Sequence, residues 1–355
     1  MNQQELTNDA ISLLKQLIET QSFSSEEHET ALHIEAWFKH YQIDYKRTQN
    51  NVWAINKYFD ESKPTLLLNS HHDTVKPNSA YTKDPFKAIV EDGKLYGLGS
   101  NDAGGCLVSL IATFTYFYNQ KNLKYNLVIV ASAEEESSGP NGLNSMLPII
   151  PKVDVAIVGE PTLMNLAIAE KGLVVFDAVV EGTPSHAAHP NNNNAIYNTI
   201  EVLQWFKDFK FERSSEALGD VKLTVTQIHA GSQHNVVPAD VNLVIDVRVN
   251  DAYTNAEIAD ILQKEAPCTR IVPRSLRLNS SSIPVDHALV KAGIAMGRTT
   301  YGSPTLSDQA VLSCPSLKLG PGDSTRSHSA DEFIYLNEIE EGIKIYIELL
   351  NRVIV

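Results

Sequence analysis

Cysteine is scarce in this chain of 355 residues: Cys106, Cys268 and Cys314 are its only three, widely spaced and in no Cys-x-x-Cys pair. An odd, scattered set excludes a disulfide framework and predicts reduced thiols in a reducing, cytoplasmic compartment. Positive charge is also in short supply. Lysine and arginine total 29 against 43 acidic residues, a formal net charge of −14, which excludes the basic footprint that nucleic-acid binding requires. Long apolar runs are missing. The stretch Cys106 to Phe114 falls far short of the ~20 residues of a membrane span. The opening Met-Asn-Gln-Gln-Glu has neither the basic nor the apolar region of a signal peptide, so neither a leader nor a membrane partner is expected. Two catalytic motifs are absent as well. No Gly-x-Ser-x-Gly elbow of a serine acyl-hydrolase occurs, and the glycines after Gly99 lack the spacing of a dinucleotide loop.

What is present is a globular composition, 43% hydrophobic and 20% charged, on a length that predicts two domains. Ile11, Leu14, Leu17 and Ile18, then Ala31, Ile34, Trp37 and Phe38, recur at helical spacing and predict two surface helices. Short apolar runs then end abruptly in acidic or imidazole side chains. Thr65-Leu-Leu-Leu runs into Asn-Ser-His71-His72-Asp73, Asn126 to Ala131 into Glu134-Glu135-Glu136, and Val153 to Val158 into Gly159-Glu160. Runs of this length suit strands buried on both faces, with helices between them. In such α/β sheets functional groups collect at the carboxyl edge. From about Lys171 the texture changes to half-exposed alternation: Gly172–Glu181, a helix over Ala195–Phe209, Val221–Ile228, Val241–Val249 and a helix over Asn255–Lys264. The α/β texture returns after Arg277 and closes on a helix from Glu338 to Val353. The predicted fold is therefore α/β, a mixed, mostly parallel sheet flanked by helices over residues 1–170 and 278–355. A smaller α+β lid or dimerisation domain is inserted over 171–277.

Singly, the polar groups are ordinary. A His-x-Asp such as His71-His72-Asp73 is as often structural as functional. Asp102, in Gly-Leu-Gly-Ser-Asn-Asp-Ala-Gly-Gly before an apolar helix, suits an N-cap, and a lone His328 near a turn is usually polar surface. Three adjacent carboxylates at the end of a buried strand are less ordinary, because their mutual repulsion calls for a cation. Two histidines with three or four carboxylates at strand ends form a nitrogen and oxygen donor set that suits zinc, and less specifically cobalt or manganese. A carboxylate shared by two ions about 3.5–4 Å apart is the usual core of a two-metal hydrolase.

In order and spacing, Ser-His71-His-Asp73-Thr-Val, Gly-Ser-Asn-Asp102-Ala-Gly-Gly, Ala-Glu134-Glu-Glu136, Val-Gly-Glu160-Pro-Thr and Gly-Pro-Gly-Asp…His328 resemble the zinc aminoacylase family. That family includes acetylornithine and acetyl-lysine deacetylases, succinyl-diaminopimelate desuccinylase, aminoacylase and glutamate carboxypeptidase. The resemblance implies His71 and Glu160 at one divalent ion, Glu136 and His328 at the other, and Asp102 bridging both. Asp73 would steady His71 from behind. Glu135 would be the general base, with a one-residue slip giving Glu134 as base and Glu135 as ligand. His186, rather than His189, would steady the oxyanion. Asn235 and Arg248 would hold a substrate carboxylate, and Gly320 and Gly322 would offer backbone contacts to it. The resemblance also implies a cis peptide between Asp102 and Ala103. Departures from the pattern are Ser70 in place of glycine, Ala103 in place of bulkier residues, and His72, an additional imidazole that competes for metal.

The expected activity is removal of an acetyl or succinyl group from an N-acyl amino acid such as acetylornithine or acetylcitrulline, in arginine or lysine biosynthesis. The compact inserted domain fits these deacylases better than large peptidases. The alternatives are an exopeptidase or dipeptidase on the same core, or a non-catalytic binding descendant. Relatives pair through the inserted domain, so a homodimer is expected in which His186 reaches the neighbouring subunit.

Overall fold

Apolar strands of four to seven residues build the centre of the main sheet, and their alternation decides which layer each side chain joins. In the computed structural model, which describes residues 2–355, the first six of the nine strands of this sheet are, in order across it, Tyr45–Thr48, Asn51–Ile55, Asn126–Ser132, Thr65–His71, Val155–Val158 and Ser316–Lys318. The last four of these six run parallel to one another, and the first two add an antiparallel margin. Leu66 and Leu68 pack with Leu127, Ile129, Val155 and Ile157 against the helices Gln3–Ile18, His28–His40, Gly105–Phe117 and Leu336–Ile354. Leu67 points the other way, joining Val128, Val130 and Ala156 over Leu143, Met146 and Ile150. Helices on both faces leave only the strand ends open to polar chemistry. Among the described residues no helix is long and apolar enough to cross a membrane.

The chain divides into two compact units, the first comprising Met1–Ile168, Ser282–Tyr301 and Ser307–Val355, the second Ala169–Ser281 with Gly302–Leu306. The second unit is an antiparallel four-stranded sheet in the order Lys222–Ala230, Asp240–Val249, Gly172–Glu181, Arg270–Pro273. Val174, Phe176, Ala178 and Val180 alternate inward to meet Val202 and Phe206 of the helix Ala195–Asp208 and Ile258 and Leu262 of the helix Asn255–Glu265. The latter helix starts on a reciprocal cap between Thr254 and Glu257. Several short strands escape sequence periodicity, and two cases show why. One is the fourth strand, Arg270–Pro273. The other is a three-stranded sheet of the first unit, Phe333–Tyr335, Lys94–Tyr96 and Ile89–Glu91, whose three-residue strands are too short to show a period.

Leu68 is fully buried between sheet and helices. Leu68→Ala is expected to lower stability by about 2–5 kcal/mol, read as a fall in the denaturant midpoint at unchanged slope.

Candidate metal centre

The strand Thr65–His71 ends on one imidazole, and the residue after it turns a second to the opposite side. His71 turns into the carboxyl edge of the sheet and is only 1% exposed. Its Nδ1 donates to the main-chain oxygen of Asp73 at 3.0 Å and lies 3.3 Å from the Asp73 carboxylate. That leaves Nε2 as the outward nitrogen, buried and with no hydrogen-bond partner. His72 turns into the helix layer instead, with Nδ1 2.9 Å from the Thr30 hydroxyl and Nε2 3.0 Å from the Asn50 carbonyl. Both of its nitrogens are taken, and burial pushes its pKa down to about 4, so it is a neutral structural residue. The competition for metal expected of His72 does not arise.

Glu134, Glu135 and Glu136 are separated in the same way by a turn. Glu134 has φ +55°, a conformation uncommon outside glycine. Its carboxylate faces away from the edge and accepts from the Asn141 amide, the Asn141 side chain and the Ser25 hydroxyl. The next two residues face the edge, because Asp73 takes both their amides, Glu135 N at 3.0 Å and Glu136 N at 3.1 Å. Glu135 Oε2 and Glu160 Oε1 each lie 3.7 Å from His71 Nε2. Glu136 Oε2 lies 3.0 Å from Nε2 of His328, which stands on a turn with φ +57°. Asp102 projects from the loop before the helix Gly105–Phe117, and its peptide to Ala103 is cis, as expected. It presents Oδ1 to His71 Nε2 and Oδ2 to His328 Nε2, each at 3.6 Å.

Charge at this edge is heavily one-sided. Burial pushes the Glu135 carboxyl well above the usual carboxylate range, reinforced by Glu160, Asp308 and Glu136 and opposed by His71. Burial opposes charging of His71, yet Glu135, Asp102 and Asp73 outweigh it and raise its pKa well above the ordinary value. The Glu136 carboxylate raises His328 to about 9, with Asp102 assisting. The edge therefore demands positive charge. The donor atoms of His71, Asp102 and Glu136, and of His71, Glu135 and Glu160, cluster closely enough to hold a cation. An orphaned imidazole nitrogen facing three carboxylates, with one carboxylate spanning two imidazoles, fits a pair of divalent ions.

A family model described as Peptidase family M20/M25/M40 matches residues 67–352. The chain belongs to this family. It is a metal-dependent amidohydrolase. It is 27% identical to an acetylornithine deacetylase of Buchnera aphidicola subsp. Schizaphis graminum over 88% of each protein. It is 29% identical to a succinyl-diaminopimelate desuccinylase of Rickettsia akari over 61% of this chain and 60% of that protein. In fold it is similar to a dinuclear metal-binding peptidase of family M20 from Bacillus subtilis, with a TM-score of 0.75 at 16% identity over 98% of each chain.

Of the residues expected at the site from the second unit, His186 and Asn235 lie together. Ser185–His186 pairs with Val236–Val237, and Ala187 donates its amide to the Asn235 carbonyl at 3.0 Å, which sets His186 beside Asn235. The exposed His186 ring accepts the Ala188 amide on Nδ1 at 3.1 Å, so the neutral ring carries its proton on Nε2. His189 is the ring next to it, 5.7 Å away between centroids. Arg248 lies elsewhere, on the strand Asp240–Val249, and its fork is filled by Asp246 two residues away at 2.9 and 3.2 Å. In the first unit, Gly320 donates to the Thr162 hydroxyl and accepts the Thr162 and Met164 amides. A Cβ on Gly320 would lie 2.5 Å from the Glu160 carbonyl, and one on Gly322, at φ +89°, 2.5 Å from Asn101 Oδ1. Close approach of this loop to the Glu160 and Asp102 segments is what demands glycine. The backbone groups of Gly320, expected to face substrate, are engaged by Thr162 and Met164.

Four carboxylates went unread in the sequence. Glu27 accepts the Ser25 and Glu134 amides, Asp308 accepts the Ser132 hydroxyl beside Glu135, and Asp331 and Glu332 take main-chain amides on either side of the His328 segment. Only the Asp331-Glu332 pair, three and four residues after His328, carried any signal.

His71→Ala is expected to abolish tight cation binding by calorimetry. His72→Asn should keep it, while lowering stability by about 1–3 kcal/mol for the buried partners it strands.

Proposed function

We propose that the protein removes an acetyl or succinyl group from an N-acyl amino acid such as acetylornithine or acetylcitrulline, a step of arginine or lysine biosynthesis. The observation that carries the reading is the Asp102 carboxylate spanning His71 and His328 at 3.6 Å on each side. The acyl specificity draws support from the deacetylase and desuccinylase among its sequence relatives. Zinc suits the donor set first, cobalt or manganese next. His71 and Glu160 would hold one ion, Glu136 and His328 the other, and Asp102 both. When bound, the ions supply positive charge that polarises the scissile carbonyl and acidifies the attacking water. Glu135, half-buried and 3.7 Å from His71 Nε2, takes that water's proton and passes it to the departing amine. Asp73 keeps the His71 ring turned and holds the amides of Glu135 and Glu136. His186, with its proton on Nε2, donates to the oxyanion. Asn235 and Arg248 receive the substrate carboxylate, for which Asp246 must release the arginine fork. An exopeptidase or dipeptidase is the second reading, since the fold is shared with the Bacillus subtilis peptidase.

The proposal includes a homodimer paired through the second unit. The strand Lys222–Ala230 is an edge of its sheet, and Ile196, Tyr197 and Ile200 expose an apolar face on the helix Ala195–Asp208. In that dimer His186 of one subunit serves the partner.

Glu135→Gln should remove turnover while both cations still bind, measured by metal analysis and initial rates. A retained rate would remove Glu135 as the base. A panel of acetylornithine, acetylcitrulline, succinylornithine, succinyl-diaminopimelate and a dipeptide separates the readings, with the highest kcat/KM expected on an N-acyl amino acid. His186→Ala should cost roughly 10²–10³ in rate. Mixing it with Glu135→Ala should partly restore activity if the histidine acts across the dimer, whereas an inactive mixture places it within its own chain.

A further inference from the structure

His328 is the most exposed group of the metal centre, its side chain 55% open to solvent. Packing does not hold its ring in place; the surrounding chain does. Upstream, the Arg326 guanidinium grips Glu338 at 2.7 and 3.0 Å and lies 4.8 Å from the centre of the Phe333 ring. Downstream, two adjacent acids point apart. Asp331, at φ +53°, takes the amides of Thr82 and Lys83. Glu332, 2% exposed, turns toward the loop that carries Asp102. Its Oε1 accepts the amides of Asn101 at 2.8 Å and Asp102 at 2.9 Å, its Oε2 accepts the amide of Gly99 at 3.0 Å, and its main-chain oxygen accepts the amide of Gly97.

The other tie of that loop on this side is Asn101, whose side chain donates to the Asp323 carbonyl and accepts the Asp323 amide, each at 3.0 Å. No side chain caps it, Gly97 and Gly99 have positive φ, and the backbone of Asp102 and Ala103 is not helical. Three amides converging on one buried carboxylate form an anion-binding nest filled from within the chain. The same segment carries His328 four residues earlier. Glu332 thus ties the loop presenting Asp102 to the turn presenting His328, with three amides where Asn101 offers a single reciprocal pair. His71 does not share this dependence, being held by a buried strand and by Asp73.

We propose that Glu332 is a positioning residue that sets the spacing between Asp102 and His328, so that the ion on the His328 side depends on it far more than the ion on the His71 side. This rests on the two-cation reading of the site. Glutamine keeps the shape of Glu332 but places an N–H donor against one of the three amides, so Glu332→Gln opens the clasp with the least change in volume.

The experiment titrates metal-free wild type and full-length Glu332→Gln with Zn²⁺ and with Co²⁺, by calorimetry and by the cobalt visible spectrum, with circular dichroism checking the fold. Wild type is expected to bind two ions. Glu332→Gln should bind one with unchanged affinity and the second roughly 10- to 100-fold more weakly, with the cobalt spectrum of the second ion altered and turnover recovering as metal is raised. Two ions bound as in wild type, or both weakened alike, would overturn the proposal. If Glu332→Gln does not fold, Glu332→Asp replaces it. Aspartate keeps the charge but cannot reach all three amides, so the same selective weakening is expected, and unchanged binding of both ions overturns the proposal. Wild type that binds no ion would instead sink the two-cation reading itself.

Discussion

Negative charge crowded around buried imidazole is the constraint from which the rest of this structure follows. At an effective dielectric constant near 20, two like charges 4 Å apart repel by about 4 kcal/mol. Asp102, Glu135, Glu136 and Glu160 converge on two histidines at one sheet edge. A handful of such repulsions rivals the whole net stability of a domain, about 5–15 kcal/mol. Protons or cations at the edge relieve that repulsion. The raised pKa values of His71 and His328 express the same demand in protons that divalent ions would meet in the working enzyme.

The fold meets this demand by giving its acids two different sets of partners. Asp73, Glu27, Glu134, Asp331 and Glu332 all accept main-chain amides, and each fixes a turn that leads to or from the edge. Asp102, Glu135 and Glu136 face imidazole nitrogens instead. Carboxylates of the first kind are spent on geometry, and those of the second are kept for cations. The second unit shows the same economy at His186, where an amide on Nδ1 leaves Nε2 as the donor.

Much of this was legible in the sequence because buried strands announce themselves as apolar runs and end in the groups they present. The runs before His71, Glu134 and Glu160 foretold both the parallel sheet and its polar edge. What the sequence did not resolve depends on backbone conformation. Three consecutive glutamates read alike until a left-handed residue at Glu134 sends the first one away from its neighbours. Glu27 and Asp308 gave no warning because their partners are backbone amides or a hydroxyl far along the chain. Arg248 is the opposite case: Asp246, two residues earlier on a strand, necessarily shares its face, so that pairing was visible in the spacing.

The alternation at the end of the strand Thr65–His71 makes this site sensitive to frame rather than to composition. Odd-numbered positions carry Leu67 to one layer and His71 to the edge, and even-numbered ones carry Leu66, Leu68 and His72 to the helices. Adding or removing a single residue within that strand would leave every amino acid present yet exchange the two imidazoles, offering the edge a ring adapted to neutrality and sealing the other against Thr30. Insertions in the loops before it leave the address intact. The strand thus counts residues modulo two, and the chemistry is written on only one of the two values.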